Sequence, residues 1–208
     1  MKNKFIDEVE LACNLALSAY DFHFPRSGTR LISISTDIDG WVGLNRSKTG
    51  NTWRINPFVG LHCVSIERLW YELASHPKLK YLRGQTATAS LHLGALAPNI
   101  DGFSFEQSQP PESEGRRLAE AIIEFGVPWM RENANLEALL SLFRRKEEML
   151  GGYPERIAVV LFLLGRFNEV SDYLDSRLHM YAQKPTWGEV QESWQQFSTA
   201  LRNRLPHR

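Results

Sequence analysis

Apolar residues recur along this chain in two rhythms, one of period two and one of period 3.6. Residues 3–20 carry Phe5, Val9, Ala12, Ala16 and Tyr20 at helical spacing, with Glu8 and Glu10 off that stripe, and predict a helix. The stretch "RLISISTDIDGWVGLN" alternates instead, with Ile32, Ile34 and Ile38 among polar residues, as a half-buried strand does. Asp39-Gly40 within it is a two-residue hairpin signal, because both residues tolerate the positive φ of a type I′ turn. A second strand is then expected from Trp41 to about Asn45, joined across Lys48–Asn51 to a third. In that third stretch, "TWRINPFVGLHC", Trp53, Ile55, Val59 and Leu61 share one parity, and Arg54, Asn56 and His62 take the other. Pro57 cannot donate to a ladder, so an edge strand or a bulge is expected there.

A helix capped by Ser65 follows, with Ile66, Leu69, Trp70 and Leu73 as its buried stripe. "TATASLHLGAL" alternates again, setting Ala89, Leu91 and Leu93 against Thr88, Ser90 and His92, and "GFSFEQ" predicts a short fifth strand. Beyond "SQPPESEG" the pattern is helical, over about 112–125, 135–149, 154–164, 167–182 and 186–204. The punctuation fits: Asn135 as an N-cap, Gly151-Gly152 as a stop, Pro154 in a first turn, Gly165 as a C-cap, and Thr186 to Glu189 as a capping box. Val190, Trp194, Phe197 and Leu201 form the last apolar stripe. Strands gather in residues 1–108 and helices in 109–208. That segregation predicts an α+β fold in one domain, with an antiparallel sheet of four to five strands covered by helices on one face and a helical C-terminal half.

Composition changes this picture little but removes some functions. The 208 residues hold 24 basic and 24 acidic side chains, a formal net charge of zero, without the basic excess of a nucleic-acid binder. The longest apolar run, "IAVVLFLLG", is too short to span a membrane, and the N-terminus lacks the uninterrupted apolar core of a signal peptide. A soluble, cytoplasmic protein is expected. Cys13 and Cys63 lack any metal-binding spacing and read as buried free thiols.

The most chemistry-like stretch is "GWVGLNRSKTGNTW". A phosphate-binding loop needs a glycine directly before its lysine and a helix after it. Here Ser47 precedes Lys48-Thr49 and a strand pattern follows, so a turn between strands is expected. The six histidines show no metal spacing; His62 and His92, on neighbouring strands, are the one pair to test as ligands. Asp37 and Asp39, two apart, would share a face as a carboxylate pair, although Asp39 also suits the turn. No catalytic, cofactor-binding or metal-binding residue is assigned. On the helical side Glu169, Asp172 and Asp175 lie on one helix face, apart from Phe167, Val170 and Leu174, and are the candidate partner-binding residues.

The run "GWVGLN…INPFVGLHCVSIERLWYEL", with the later "FGVPWM" and "LLGR", resembles a group of uncharacterised bacterial proteins of about this length. These carry a Gly-Trp-x-Gly-Leu-Asn strand followed by an Asn-Pro-x-Val/Ile-Gly strand and a helix. In style they are similar to immunity proteins that neutralise interbacterial toxins of the contact-dependent inhibition type. The resemblance implies no active-site residue and no cofactor. It implies a cytoplasmic inhibitor whose partner is a cognate toxin domain. An enzyme with a site assembled from distant residues, or a helical adaptor, is the alternative.

Overall fold

The computed structural model describes residues 4–25, 28–74, 81–150, 153–183 and 187–206, without the side chains of 148–150. The sequence features at His76, Gly151-Gly152, Thr186 and His207 lie outside the described residues. The fold is α+β, with a five-stranded antiparallel sheet in the N-terminal half and helices through the C-terminal half. Two compact units divide the chain, residues 1–63 with 82–134, and residues 64–81 with 135–208. Residue 108 is therefore not the dividing point: the helical stretch 112–132, which contains "FGVPWM", belongs with the sheet, and the helix after Cys63 with the later helices.

The first unit holds α1 (Lys4–Ser18), β1 (Arg30–Ser33), β2 (Ile38–Thr49), β3 (Thr52–Cys63), β4 (Ala89–His92) and β5 (Phe103–Glu106). The strand order is β1-β2-β3-β4, with β5 pairing β3 as well. The long β2–β3 hairpin closes at Gly50-Asn51, so the expected connection across Lys48–Asn51 narrows to two residues, and Ser47, Lys48 and Thr49 are paired strand.

Two strand expectations are corrected. The chain reverses over residues 34–37, and Asp39-Gly40 sits inside β2 rather than in a turn. Asp39 is 1% exposed and held by Arg83, while a Cβ on Gly40 would come within 2.7 Å of both Ile32 Cγ2 and Met130 Sδ. The dipeptide serves burial and close approach, and these override its local turn preference. The second correction concerns Pro57. β3 is the central strand, not an edge, and it is unbulged across β2. On its other side β5 pairs with Thr52 to Ile55 and β4 with Phe58 to Leu61. Pro57 falls in the gap between those partners, where no N–H is required.

One continuous helical stretch covers one face of this sheet. It comprises α3 (Glu112–Ala121), a π turn (Ile122–Gly126) and α4 (Val127–Glu132). The Val127 N–H reaches back to the Ile122 carbonyl, five residues away, which lets Pro128 enter the helix without facing an ordinary i−4 carbonyl. The sequence reading stops this helix at about 125, whereas the π turn carries it on to Glu132.

The second unit holds α2 (Val64–Leu73), α5 (Leu136–Leu150), α6 (Pro154–Leu163), α7 (Phe167–Ala182) and α8 (Gly188–Arg202). Asn135 caps α5, its Oδ1 accepting the Ala138 N–H at 2.9 Å. Val170, Leu174, Trp194, Phe197 and Leu201 are buried, as the stripes predict, and Tyr181 joins them, but Val190 is 45% exposed. α2 also buries a charge that its stripe does not show. Glu67 is fully buried, and Arg156 of α6 grips it through two hydrogen bonds of 2.8 and 2.9 Å.

Candidate functional site

The first unit buries two titratable side chains on one sheet face, Asp39 and His62. The sheet face opposite α3 and α4 is covered at Asp39, Trp41 and His62 by the loop 82–88. Gly84, at φ +73°, anchors that loop: its carbonyl accepts from Trp41 Nε1 and Thr29 Oγ1 at 3.1 and 2.7 Å. Its N–H donates to His62 Nε2 at 3.1 Å, and His62 Nδ1 therefore donates to the Thr86 carbonyl at 2.8 Å. Arg83 closes the cluster with two hydrogen bonds to Asp39, of 2.8 and 2.9 Å. Both nitrogens of His62 and both oxygens of Asp39 are occupied in fastening the loop to the sheet.

The histidine pair and the carboxylate pair do not assemble. His92 stands opposite Phe58 in the β3–β4 register, four residues from His62, a separation of about 13 Å along a strand. Its Nδ1 accepts the Gly94 N–H at 3.0 Å, capping a short 3-10 turn. Asp37 accepts from Cys63 Sγ at 3.3 Å while Asp39 binds Arg83, so the two carboxylates serve separate partners. No group of three metal-ligating side chains exists among the described residues. No helix among them is long and apolar enough to cross a membrane.

Both cysteines are free and fully buried. Burial pushes the Cys13 thiol up from 9.0 to about 12; the Arg30 charge pulls it back, and Glu10 and Glu114 add to the rise. An unfolded chain releases this proton near 9.0 and the folded chain retains it to about 12, so the unfolded state binds fewer protons between those values. The contribution of Cys13 to stability is whole below 9.0 and falls as the pH rises toward 12. Urea unfolding at pH about 8 and about 10.5 is expected to show that fall, and Cys13→Ala to reduce it.

Glu169, Asp172 and Asp175 are all exposed on α7, as predicted. They do not form a bare acidic face. Glu169 meets Arg144 at 3.2 Å and Arg166 at 3.7 Å, and Asp175 meets Arg202 at 2.7 Å. Asp172 lies in a concavity with Phe167, Asn168, Ser171 and Leu205. The arginines come from α5, α8 and the turn before α7, so only the folded unit neutralises this stripe.

The surface that stands out is apolar, and part of it belongs to the α1 stripe whose spacing predicts core. Gly115 brings α3 close to α1 at Ala12, where a Cβ would meet the Ala12 carbonyl carbon at 3.1 Å. Beside that contact the helices leave a groove of about 420 Å³, lined by Ala12, Leu15, Ala16, Ala19 and Tyr20 and rimmed by Glu112, Arg116 and Glu120. The buried stripe of α1 runs through Cys13 and Leu17, which turns Ala16 and Tyr20 from the predicted core into the groove wall. Leu15 is 62% exposed and Leu11, one turn earlier, 57%. Spacing alone cannot separate the two stripes, because Ala12, Ala16 and Tyr20 are themselves helically spaced. No protein-family model, curated protein or solved structure matches the chain.

Proposed function

We propose that this chain is an immunity protein, a cytoplasmic inhibitor that neutralises a cognate bacterial toxin domain by stoichiometric binding. The observation that carries the reading is the α1–α3 groove. Two large leucines stand exposed on α1 and a floor of alanines lies beside them, with charge confined to the rim. An apolar centre within a polar rim is the anatomy of a protein–protein contact. The polar clusters of the same unit fasten its own loop, whereas the groove has no internal task. Similarity in style to interbacterial immunity proteins supports the same reading. Zero net charge favours a partner recognised through apolar contact over one drawn by long-range steering.

Co-expression with the toxin domain encoded beside its gene tests the proposal. Growth is expected to be restored by the wild type, and the purified pair to form a one-to-one complex. Leu15→Asp, on an exposed position, is expected to keep the fold and raise Kd at least about tenfold, since a buried leucine contributes roughly 1.5–3 kcal/mol. A wild-type chain that neither binds nor rescues overturns the reading.

A further inference from the structure

The charges of α3 fall into two rows that behave differently. Glu114 and Arg117 turn toward β5. They pair at 2.6 Å, Glu114 Oε1 accepts the Ser104 N–H at 2.9 Å, and the Arg117 guanidinium lies 4.8 Å from the Phe103 ring centroid. Glu112, Arg116 and Glu120 stand on the other side at i, i+4 and i+8, exposed along the rim of the α1–α3 groove. No side chain of the three makes an ion pair or hydrogen bond among the described residues. Glu169 and Asp175 of α7, by contrast, each hold an arginine.

The groove row has an order as well as a charge. Acid, base and acid follow one another at steps of about 6 Å, four residues of helix rise. The order reads the same from either end. A second helix laid along the groove presents side chains at the same step, so a basic, acidic, basic row on its edge meets all three charges whichever way it runs. The floor suits such a helix. Ala12, Ala16 and Ala19 leave room for a ridge of larger apolar side chains, and Leu15 and Tyr20 stand beside them, 62% and 38% exposed. From Ala12 to Ala19 the floor runs for about 10 Å, or about two helical turns. An extended strand repeats at nearly the same step, but walls made of helices offer its backbone no hydrogen bonds.

We infer that the groove receives one amphipathic α-helix of the partner, its apolar ridge on the alanine floor and a basic, acidic, basic row against Glu112, Arg116 and Glu120. That helix belongs to the toxin domain of the proposed function, and its assignment there rests on that reading. The alternation sets specificity more than affinity, because each exposed pair contributes little while a like charge at the middle position repels.

Stapled helical peptides of about 15 residues, with leucines on one face, test this by fluorescence anisotropy at matched ionic strength. One carries Lys, Glu and Lys at i, i+4 and i+8 along its edge. The other carries Lys, Lys and Glu there, so composition and net charge are equal. The wild type is expected to bind the first at least about fivefold more tightly, and Leu15→Asp to weaken both. Arg116→Glu, exposed in mid-helix and checked by circular dichroism, is expected to bind the two equally, since each then makes two matches and one clash. Equal binding of the two peptides by the wild type overturns the inference. So does a preference that survives Arg116→Glu, equally tight binding of a proline-broken analogue of the first peptide, or no saturable binding of either. The toxin domain separates the two readings. A toxin neutralised with a Kd unchanged by Arg116→Glu overturns the partner helix and leaves the immunity reading standing; peptide discrimination without toxin binding upholds the helix and overturns the immunity reading.

Discussion

Replacing Arg156 with leucine is expected to lower stability by about 3–5 kcal/mol, the cost of leaving a buried carboxylate without its cation. Glu67 is 0% exposed and Arg156 13%, and the guanidinium holds both carboxylate oxygens. The same guanidinium lies 4.6 Å from the Trp70 ring centroid and 5.4 Å from that of Tyr153. Its loss therefore also removes two cation–π contacts, each worth on the order of 0.5–1 kcal/mol. Replacing both partners by apolar residues is expected to cost far less, because no charge then remains buried. Urea denaturation of the two single variants and the double variant separates these terms. A loss below about 1 kcal/mol in Arg156→Leu would mean that water reaches Glu67 and stands in for the guanidinium.

Trp194→Ala is expected to cost about 3–5 kcal/mol by loss of packing. Trp194 is 2% exposed and is the largest of the fully buried side chains. Its ring contacts Tyr173, Tyr181 and Phe197, at centroid distances of 6.3, 5.7 and 5.5 Å. Alanine leaves a cavity among rings fixed on two packed helices, α7 and α8, which cannot collapse fully into it. For a protein of this size the melting temperature should fall by roughly 10 °C, at about 2–4 °C per kcal/mol. Trp194→Phe keeps most of the ring contacts and loses the bond to the Leu174 carbonyl, so a loss of about 1–2 kcal/mol is expected. Thermal melts of both variants check the order; equal losses would show that the hydrogen bond outweighs the packing.

These two residues differ in how far the sequence announces them. Trp194 stands in a stripe with Phe197 and Leu201, at successive steps of three and four residues, and helical periodicity alone marks it as core. Glu67 and Arg156 lie 89 residues apart, and each reads locally as an ordinary exposed helix charge. Asp39 and Arg83 repeat the case across 44 residues. Here local chemistry even misleads, since Asp39-Gly40 is a good turn dipeptide that the fold buries within β2. Pro57 is similar: its missing donor is visible in sequence, but the gap between β4 and β5 that accepts it is not.

The candidate sites follow the same division. The acidic stripe of α7 is legible because residues on one helix turn are fixed neighbours, but the arginines that neutralise it come from other elements. The α1 groove escapes notice because Ala16 and Tyr20 fit a helical stripe as well as the buried Cys13 and Leu17 do.

The sequence by itself determined the α+β class, the helices, the β2–β3 turn and most of the core, because periodicity, caps and turns act between residues at most four or five apart. Only the tertiary structure decided which charges are buried in pairs, where β3 changes partners, and which apolar faces remain open. Those outcomes depend on segments brought together by chain closure, whose partners local spacing does not encode.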